Sequence, residues 1–226
     1  MFFKRLCICC AEYFSFFKVM LQLMYGAWKM SSVPFPRVTI FGGSRVGQKT
    51  KFAQDAFDLA QMLVHKGISV ITGGGGGVMH AANCGAIAKK TSETRSVGIG
   101  VTEIGEGRNP CVQDYFQLKY FFARKWMLTR YSMGFIIFPG GFGTMDELAE
   151  VLTLVATKKL DRVPIIMVGK EYWKDFMEWL DVSALAHGLV SKEDLALFTL
   201  TDGIEQACEI IEKECDRIMV RKKQKS

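Results

Sequence analysis

The chain has 226 residues, of which 49% are hydrophobic and 23% charged, and its formal net charge is +6. This composition excludes the disordered and fibrous classes and predicts a globular protein of one to one and a half domains with a sizeable core. Much of the excess positive charge lies in a basic tail, residues 220–226. Because no aromatic residues alternate with those basic ones, we interpret the tail as a solvated terminus and expect no nucleic-acid partner.

The N-terminal segment, residues 1–32, is rich in Phe, Met and Cys and begins like a signal peptide. Glu12 and Lys18 interrupt the apolar stretch, however, and no small-residue cleavage site follows. The charge-free runs are shorter than the roughly 18 residues that a membrane span needs. We predict an amphipathic helix near Ala11–Lys29 that packs on the domain or on a second subunit. A helix on a membrane surface is the less favoured alternative.

Seven cysteines are present, odd in number and irregular in spacing. The histidines that could complete a metal site are His65, His80 and His187. This pattern predicts free thiols in a reducing compartment. We therefore expect a cytoplasmic protein with no metal site and no cofactor.

Short apolar runs recur along the chain, and each is followed by a turn and a segment of helical periodicity. The predicted strands are 37–42, 67–72, 96–101, 134–139, 163–168 and 198–200. The predicted helices are 49–65, 78–89, 117–131, 144–158, 170–185 and 203–218. Several strands are apolar throughout, which is typical of parallel strands buried on both faces. The alternation predicts an α/β domain at 33–219, a doubly wound, Rossmann-like, mostly parallel sheet with helices on both faces.

Three predicted strands end in glycine-rich turns that open a helix: FGGSRVG (41–47), TGGGGGVM (72–79) and PGGFGT (139–144). Glycine lets the backbone approach a ligand closely, and the amides at a helix start attract an anion. Parallel strands bring such turns to one edge of the sheet, where ligands bind at the point of strand-order reversal. The three turns together favour a phosphorylated ligand.

Two common nucleotide-binding motifs are nearly present, and both fail. The dinucleotide fingerprint GxGxxG fails because Val78 occupies the last glycine position when the motif is started at Gly73. A P-loop fails because Gln48 occupies the lysine position after Gly42 and Gly47. NAD and an ATPase activity are therefore disfavoured.

The helix after the third glycine turn carries a T-x-x-E pattern, Thr144 to Glu147, which predicts a capping box with Thr144 as the N-cap. Glu147 then has two interpretations: it ties down the helix start, or it acts on a ligand held at the turn. Arg124 and Lys125, on the preceding predicted helix, belong either to a solvated face or to the same site.

These motifs carry a family resemblance. PGGFGTMDE (139–147), TGGGGGVMHAANCGA (72–86), VTIFGGSR (38–45) and the Arg124–Lys125 pair resemble the LOG ("Lonely guy") family, in particular its long-form bacterial branch. The family comprises cytokinin riboside 5′-monophosphate phosphoribohydrolases and was formerly mislabelled as lysine decarboxylase. The pyridoxal chemistry of a decarboxylase is not supported, because no lysine has a context that suggests a Schiff base.

The resemblance implies hydrolysis of the N-glycosidic bond of a nucleoside 5′-monophosphate, of AMP or cytokinin type, to free base and ribose 5-phosphate. It implies Arg124 and Glu147 as the catalytic pair, and a homodimer. The residues expected to bind substrate and phosphate are Gly43, Ser44, Arg45, Gly74, Gly75, Lys125, Gly140, Gly141, Phe142, Gly143, Thr144 and Asp146.

Two questions stay open in the sequence. His80 stands where the family usually has glutamate, and it is either a packing residue or a ligand contact. The alternative function is a non-catalytic nucleotide or cofactor carrier, resembling the molybdenum-cofactor carriers that share this fold. The presence of both Arg124 and Glu147 favours the enzyme, since a carrier needs only the glycine turns.

Overall fold

The computed structural model describes residues 2–89, 91–102 and 109–225, with side chains left undescribed at residues 2–8, 10, 11 and 222–225. Its strands are β1 (Arg37–Phe41), β2 (Ser69–Thr72), β3 (Ser96–Val101), β4 (Asp114–Leu118), β5 (Phe135–Ile137), β6 (Ile165–Val168) and β7 (Phe198–Thr201). Its helices are α1 (Phe2–Ser31), α2 (Lys51–His65), α3 (Gly77–Ala88), α4 (Phe121–Arg130), α5 (Phe142–Ala156), α6 (Lys170–Trp179), α7 (Lys192–Leu195) and α8 (Ile204–Lys225). A short π-helix, Leu180–Leu185, continues α6.

The strands form one parallel seven-stranded sheet in the order β4-β3-β2-β1-β5-β6-β7. The chain moves outward from β1 to β4 and then returns to place β5 directly beside β1. Strand order therefore reverses between β1 and β5, which opens a crevice beyond their carboxyl ends. The predicted α/β class and parallel sheet are confirmed.

Helices cover both faces of the sheet, so the central strands are buried on both sides as their continuous apolar sequences predict. One hydrophobic core lies between the sheet and α2, α3 and α8, with Leu63, Ala82 and Ile211 among its members. The other core lies under α1, α4, α5 and α6, with Met30, Met127, Val151 and Trp173 among its members.

The helix predicted at 117–131 is wrong in its first part, because β4 occupies Asp114–Leu118 and α4 begins only at Phe121. Strand β4 lies at the edge of the sheet, where Phe116 and Leu118 are buried and Gln117 is exposed. An edge strand with polar residues on one side lacks the apolar run that identifies the central strands, which explains the wrong prediction.

The N-terminal helix α1 is longer than predicted, and it packs against α4, β4 and the turn between them. Ser15 Oγ lies 2.7 Å from the Tyr120 hydroxyl, and the Lys119 amide donates to Gln22 Oε1 at 3.0 Å. Several large apolar side chains of α1 are nevertheless exposed, Tyr13 and Trp28 among them. Within the described residues, no helix is both long enough and apolar enough to cross a membrane.

Candidate active site

The three glycine turns meet beside the β1–β5 crevice and are hydrogen-bonded to one another. The Gly43 amide, in the first turn, donates to the Pro139 carbonyl of the third turn at 2.9 Å. The Gly43 carbonyl accepts from the Val78 amide, at the end of the second turn, at 3.1 Å. The first turn thus joins the other two, and the backbone at this edge forms a single connected surface.

A cavity of about 930 Å³ lies at this surface, within the size range of small-molecule sites. Most of the predicted site residues line it. They are Gly43, Ser44, Arg45, Arg124, Gly140, Gly141, Phe142, Gly143, Thr144 and Glu147.

Four predicted site residues, Gly74, Gly75, Lys125 and Asp146, are not part of the cavity lining. Gly74 is buried, and its amide donates to Thr72 Oγ1 at 2.9 Å. Lys125 Nζ lies 3.0 Å from Asp146 Oδ1. The charges of Lys125 and Asp146 are therefore directed at each other.

Lys125 also lies 3.1 Å from Glu150, so two carboxylates share its ammonium group. Burial lowers the pKa of Lys125, but its hydrogen bonds to Asp146 and Glu150 outweigh that effect and raise the pKa overall. A lysine paired in this way contributes less free positive charge to a neighbouring cavity than its formal charge suggests.

Aromatic side chains that the sequence did not single out complete the cavity wall. Phe121 lies one turn before Arg124 on α4, a spacing that places both on one helix face, so this contact was predictable. Tyr172, on α6, donates its hydroxyl hydrogen bond to the Gly140 carbonyl. Tyr172 carried no local signal, because only the sheet order brings α6 beside the third turn.

The predicted capping box at Thr144 is wrong, because α5 begins earlier. Gly141, in an extended conformation, is the N-cap, which places Thr144 in the first turn and Glu147 in the second. Glycine is an accepted N-cap residue, and the glycines of the turn let the helix start at Phe142. Amides in a first helical turn have no acceptor within the helix and are available to an anion. Glu147 is thereby freed from a capping role.

Glu147 is paired with Arg124 in the wall of the cavity. Arg124 Nη1 lies 3.4 Å from Glu147 Oε1, and each side chain is 12% exposed. The Arg124 guanidinium is held in place because its Nε donates to the Ile99 carbonyl at 2.9 Å. It also lies directly over Gly73, where any Cβ would collide with it. The arginine thus connects the second glycine turn to the carboxylate.

Burial has a strong effect on the Glu147 carboxyl. Desolvation raises the pKa of Glu147 to about 7, although the positive charge of Arg124 acts in the opposite direction. A carboxyl group with that pKa exchanges protons readily near neutral pH. Such a value is typical of groups that act as acids or bases at functional sites.

Gly140 and Gly143 offer a matched test of whether a ligand approaches the third turn. A Cβ at Gly143 would meet no atom within 4 Å, whereas a Cβ at Gly140 would lie 2.7 Å from the Gly43 amide nitrogen. We expect Gly143→Ala to keep or slightly raise the melting temperature, since alanine favours the helix. We also expect it to raise KM for a phosphorylated substrate at least about tenfold, because the added methyl group occupies space that the ligand needs. We expect Gly140→Ala to lower stability by about 1–3 kcal/mol. An unchanged KM in Gly143→Ala would contradict close approach of a ligand here.

His80 is not part of the cavity lining. Its Nδ1 lies 3.0 Å from Asn109 Oδ1, and its Nε2 lies 3.4 Å from Cys84 Sγ.

Cys84 is joined to Cys111 in a disulfide, so the prediction of free thiols is wrong for this pair. The fold brings α3 next to the segment before β4, a proximity that the sequence spacing does not reveal. Cys9, Cys208 and Cys215 are free, whereas Cys7 and Cys10 lie outside the described side chains.

Comparisons with known proteins give the family of this chain. The family model described as "Possible lysine decarboxylase" matches residues 79–211, more than half of the chain. A probable cytokinin riboside 5′-monophosphate phosphoribohydrolase of Oryza sativa subsp. japonica is 34% identical over 168 residues, covering 70% of this chain and 74% of that protein. A cytokinin riboside 5′-monophosphate phosphoribohydrolase of Arabidopsis thaliana is 31% identical over 172 residues, covering 72% and 75%.

Solved structures share the fold at lower identity. The molybdenum cofactor binding protein from Rippkaea orientalis superposes with a TM-score of 0.59 at 21% identity, covering 80% of this chain and 98% of that chain. The molybdenum cofactor carrier protein from Chlamydomonas reinhardtii gives 0.57 at 18% identity, covering 79% and 97%. These likenesses concern the fold, whereas the family model and the plant relatives identify the sequence family. The chain belongs to the LOG family, whose named relatives are cytokinin riboside 5′-monophosphate phosphoribohydrolases.

Proposed function

We propose that this protein hydrolyses the N-glycosidic bond of a nucleoside 5′-monophosphate, releasing the free base and ribose 5-phosphate. The observation that carries the proposal is the Arg124–Glu147 pair, largely buried in the wall of a cavity that is also lined by glycine turns. A carrier would need the glycine turns alone. The carboxyl group with a raised pKa has no evident purpose in simple binding.

The 5′-phosphate is assigned to the start of α5. The first-turn amides of Phe142, Gly143 and Thr144 lack acceptors within the helix, and the helix dipole favours an anion there. Arg45 lines the same cavity and adds a positive charge from the first turn. This set of groups recognises a phosphate and leaves the sugar and base to extend along the cavity.

Bond cleavage is assigned to Glu147. As the C1′–N bond breaks, positive charge develops on the ribose ring, in an oxocarbenium-like transition state of the kind known from glycoside hydrolysis. The Glu147 carboxylate stabilises that charge and accepts a proton from the attacking water. The water oxygen bonds to C1′, and the electrons of the C1′–N bond leave with the base. The base takes up a proton from solvent, and the proton that Glu147 accepted returns to solvent, which restores the carboxylate. Arg124 favours the ionised form of Glu147 against the effect of burial.

The base is assigned to the aromatic part of the cavity wall. Phe121, Phe142 and Tyr172 line the cavity and are 56%, 96% and 45% exposed, so their rings are accessible for stacking. Stacking on aromatic rings suits every nucleobase and adds little selectivity. This lining is compatible with AMP and with a cytokinin riboside monophosphate, the substrate type in the names of the plant relatives.

The test is a panel of nucleoside 5′-monophosphates, including AMP and an N6-prenylated analogue, each paired with its nucleoside. Released base is measured by chromatography. We expect release from at least one monophosphate, and at least about tenfold lower kcat/KM for the matching nucleoside, because the phosphate contacts are lost. Equal rates for a nucleotide and its nucleoside would contradict the phosphate assignment. Nucleotide binding without base release from any member would indicate the carrier instead.

A further inference from the structure

His80, Cys84 and Cys111 form a cluster of metal-ligating side chains outside the cavity. The His80 nitrogen atoms and the two sulfur atoms offer one ligand atom each, all within 4.8 Å of one another. His80 and Cys84 are one helical turn apart on α3, the i, i+4 spacing that places two ligands on one helix face. Cys111 faces them from the segment that precedes β4.

The proton position on His80 follows from the hydrogen bonds of Asn109. The Asn109 side-chain nitrogen faces the Met79 carbonyl at 3.4 Å and Asn83 Oδ1 at 3.1 Å, and both of these oxygens accept. The Asn109 side-chain oxygen accepts from the Cys111 amide at 2.9 Å. These partners fix the orientation of the amide, so its oxygen faces His80 Nδ1 at 3.0 Å. Nδ1 must therefore carry the proton.

Nε2 is then the ring nitrogen that faces the sulfur atoms, 3.4 Å from Cys84 Sγ. An imidazole whose other nitrogen donates to a fixed oxygen is the usual outer-shell arrangement around a metal-ligating histidine. Asn109 itself is 3% exposed, so this arrangement is rigidly held. A disulfide has no proton to donate to Nε2, whereas a cation bound to the two thiolates could be coordinated by Nε2.

We propose that, when Cys84 and Cys111 are reduced, His80 Nε2 and the two sulfur atoms bind one divalent cation of the Zn²⁺ class. Two thiolates and one imidazole suit Zn²⁺ in type and number and leave a fourth position for water. The sequence alone predicted no metal site. The ligands come from distant parts of the chain, so only the fold shows that they are close together. The inference is independent of the proposed hydrolase activity.

The site and the disulfide exclude each other. A dithiol reductant converts the Cys84–Cys111 disulfide to two thiols and is itself oxidised to a cyclic disulfide. The cation then binds the two sulfur atoms as thiolates and displaces their two protons to solvent. Oxidation by a disulfide of low molecular weight reverses the sequence: the two thiolates form the protein disulfide, and the cation is released. The oxidant is reduced to two thiols, which take up two protons from solvent.

The test uses the full chain, reduced with a phosphine, freed of excess reductant and titrated with Co²⁺ without oxygen. We expect thiolate-to-cobalt charge-transfer absorption and tetrahedral d–d bands that saturate at one equivalent and vanish on addition of Zn²⁺. Cys84→Ser and Cys111→Ser should lose most of the charge-transfer intensity. His80→Gln should weaken binding at least about tenfold, since even outer-shell changes have effects of that size.

Two matched controls separate this cluster from the other thiols. Cys208→Ser removes a thiol that burial keeps protonated, with its pKa raised to about 11, and it should leave the cobalt spectrum unchanged. A variant combining Cys7→Ser, Cys9→Ser and Cys10→Ser tests the N-terminal cysteines and should also bind normally. Loss of the bands in that variant, or no bands although thiol titration shows Cys84 and Cys111 reduced, would overturn the proposal.

A measurement on the unmodified chain guards against variants that fail to fold. X-ray absorption of the zinc-loaded, reduced protein should show two sulfur ligands at about 2.3 Å and nitrogen or oxygen ligands at about 2.0 Å. A shell made of oxygen and nitrogen alone would overturn the proposal independently of any substitution.

Discussion

Glu147→Gln is expected to lower kcat/KM for a nucleoside 5′-monophosphate on the order of 100-fold or more, while leaving the fold intact. Glutamine has the same shape but neither the negative charge that stabilises the oxocarbenium-like transition state nor the ability to accept a proton. Base release under saturating and limiting substrate measures the effect. Glu150→Gln is the matched control, because Glu150 lies one turn further along α5, contacts Lys125 and is not part of the cavity lining.

The same substitution should stabilise the protein above neutral pH. The pKa of Glu147 is raised from 4.5 to about 7 in the folded state, so ionising this group disfavours folding. Its contribution is most favourable below pH 4.5 and is lost as the pH rises toward about 7. At pH 8 we expect the Glu147→Gln protein to be more stable than the unmodified chain by roughly 3 kcal/mol, a rise of several degrees in melting temperature. The difference should disappear near pH 4.5.

Two outcomes would contradict this account of Glu147. Activity of Glu147→Gln within a few-fold of the unmodified protein would remove the carboxylate from the chemistry. A lower melting temperature of Glu147→Gln than of the unmodified protein at pH 8 would show that the carboxylate stabilises the fold, as a capping or structural residue does. The account instead requires that the ionised carboxylate destabilises the fold and is kept for function.

Arg124→Gln is expected to lower kcat/KM at neutral pH by a similar order, about 100-fold, and also to move its pH dependence. In the unmodified protein kcat/KM should fall as the pH drops through about 7, because the ionised form of Glu147 is the active one. Removing the guanidinium, which lies 3.4 Å from Glu147, leaves burial unopposed and raises the pKa of Glu147 further. The acidic limb should therefore shift to higher pH.

The shift of the acidic limb is measured from kcat/KM across pH 5 to 9 at roughly constant ionic strength. It distinguishes titration of Glu147 from titration of the substrate. The substrate phosphate, which also titrates near pH 6, is the same for both proteins and gives no shift. Arg130→Gln, at the exposed end of the same helix, is the control and should leave the limb in place. An Arg124→Gln protein with normal activity or an unmoved limb would show that the ion pair does not tune Glu147.

Much of the fold was predictable because the central strands are short, apolar and bounded by glycine. Strands β1, β2, β3 and β6 follow directly from those runs. Strand β4 was not predictable in this way, because its identity depends on pairing with β3 at the sheet edge. The start of α5 was misplaced for a related reason: the T-x-x-E pattern is local, whereas Gly141 becomes the N-cap through the geometry of the whole turn.

The site was predictable in its backbone and less so in its side chains. The glycine turns indicated a phosphate site from local physics alone, and strand order brought them together. The partnership of Arg124 with Glu147 came from the family resemblance, since nothing local links α4 to α5. The contacts of Tyr172 and the Cys84–Cys111 pairing depend on packing between distant segments, for which a single sequence carries no signal.

The most direct measurement is a crystal structure of the Glu147→Gln protein with a bound nucleoside 5′-monophosphate. The account predicts the phosphate at the amides of Phe142, Gly143 and Thr144, and C1′ of the ribose within about 3–4 Å of the residue 147 side chain or of a water that it holds. A phosphate bound elsewhere, or a ribose turned away from residue 147, would contradict the central claim that the glycine turns position the sugar–base bond beside this side chain.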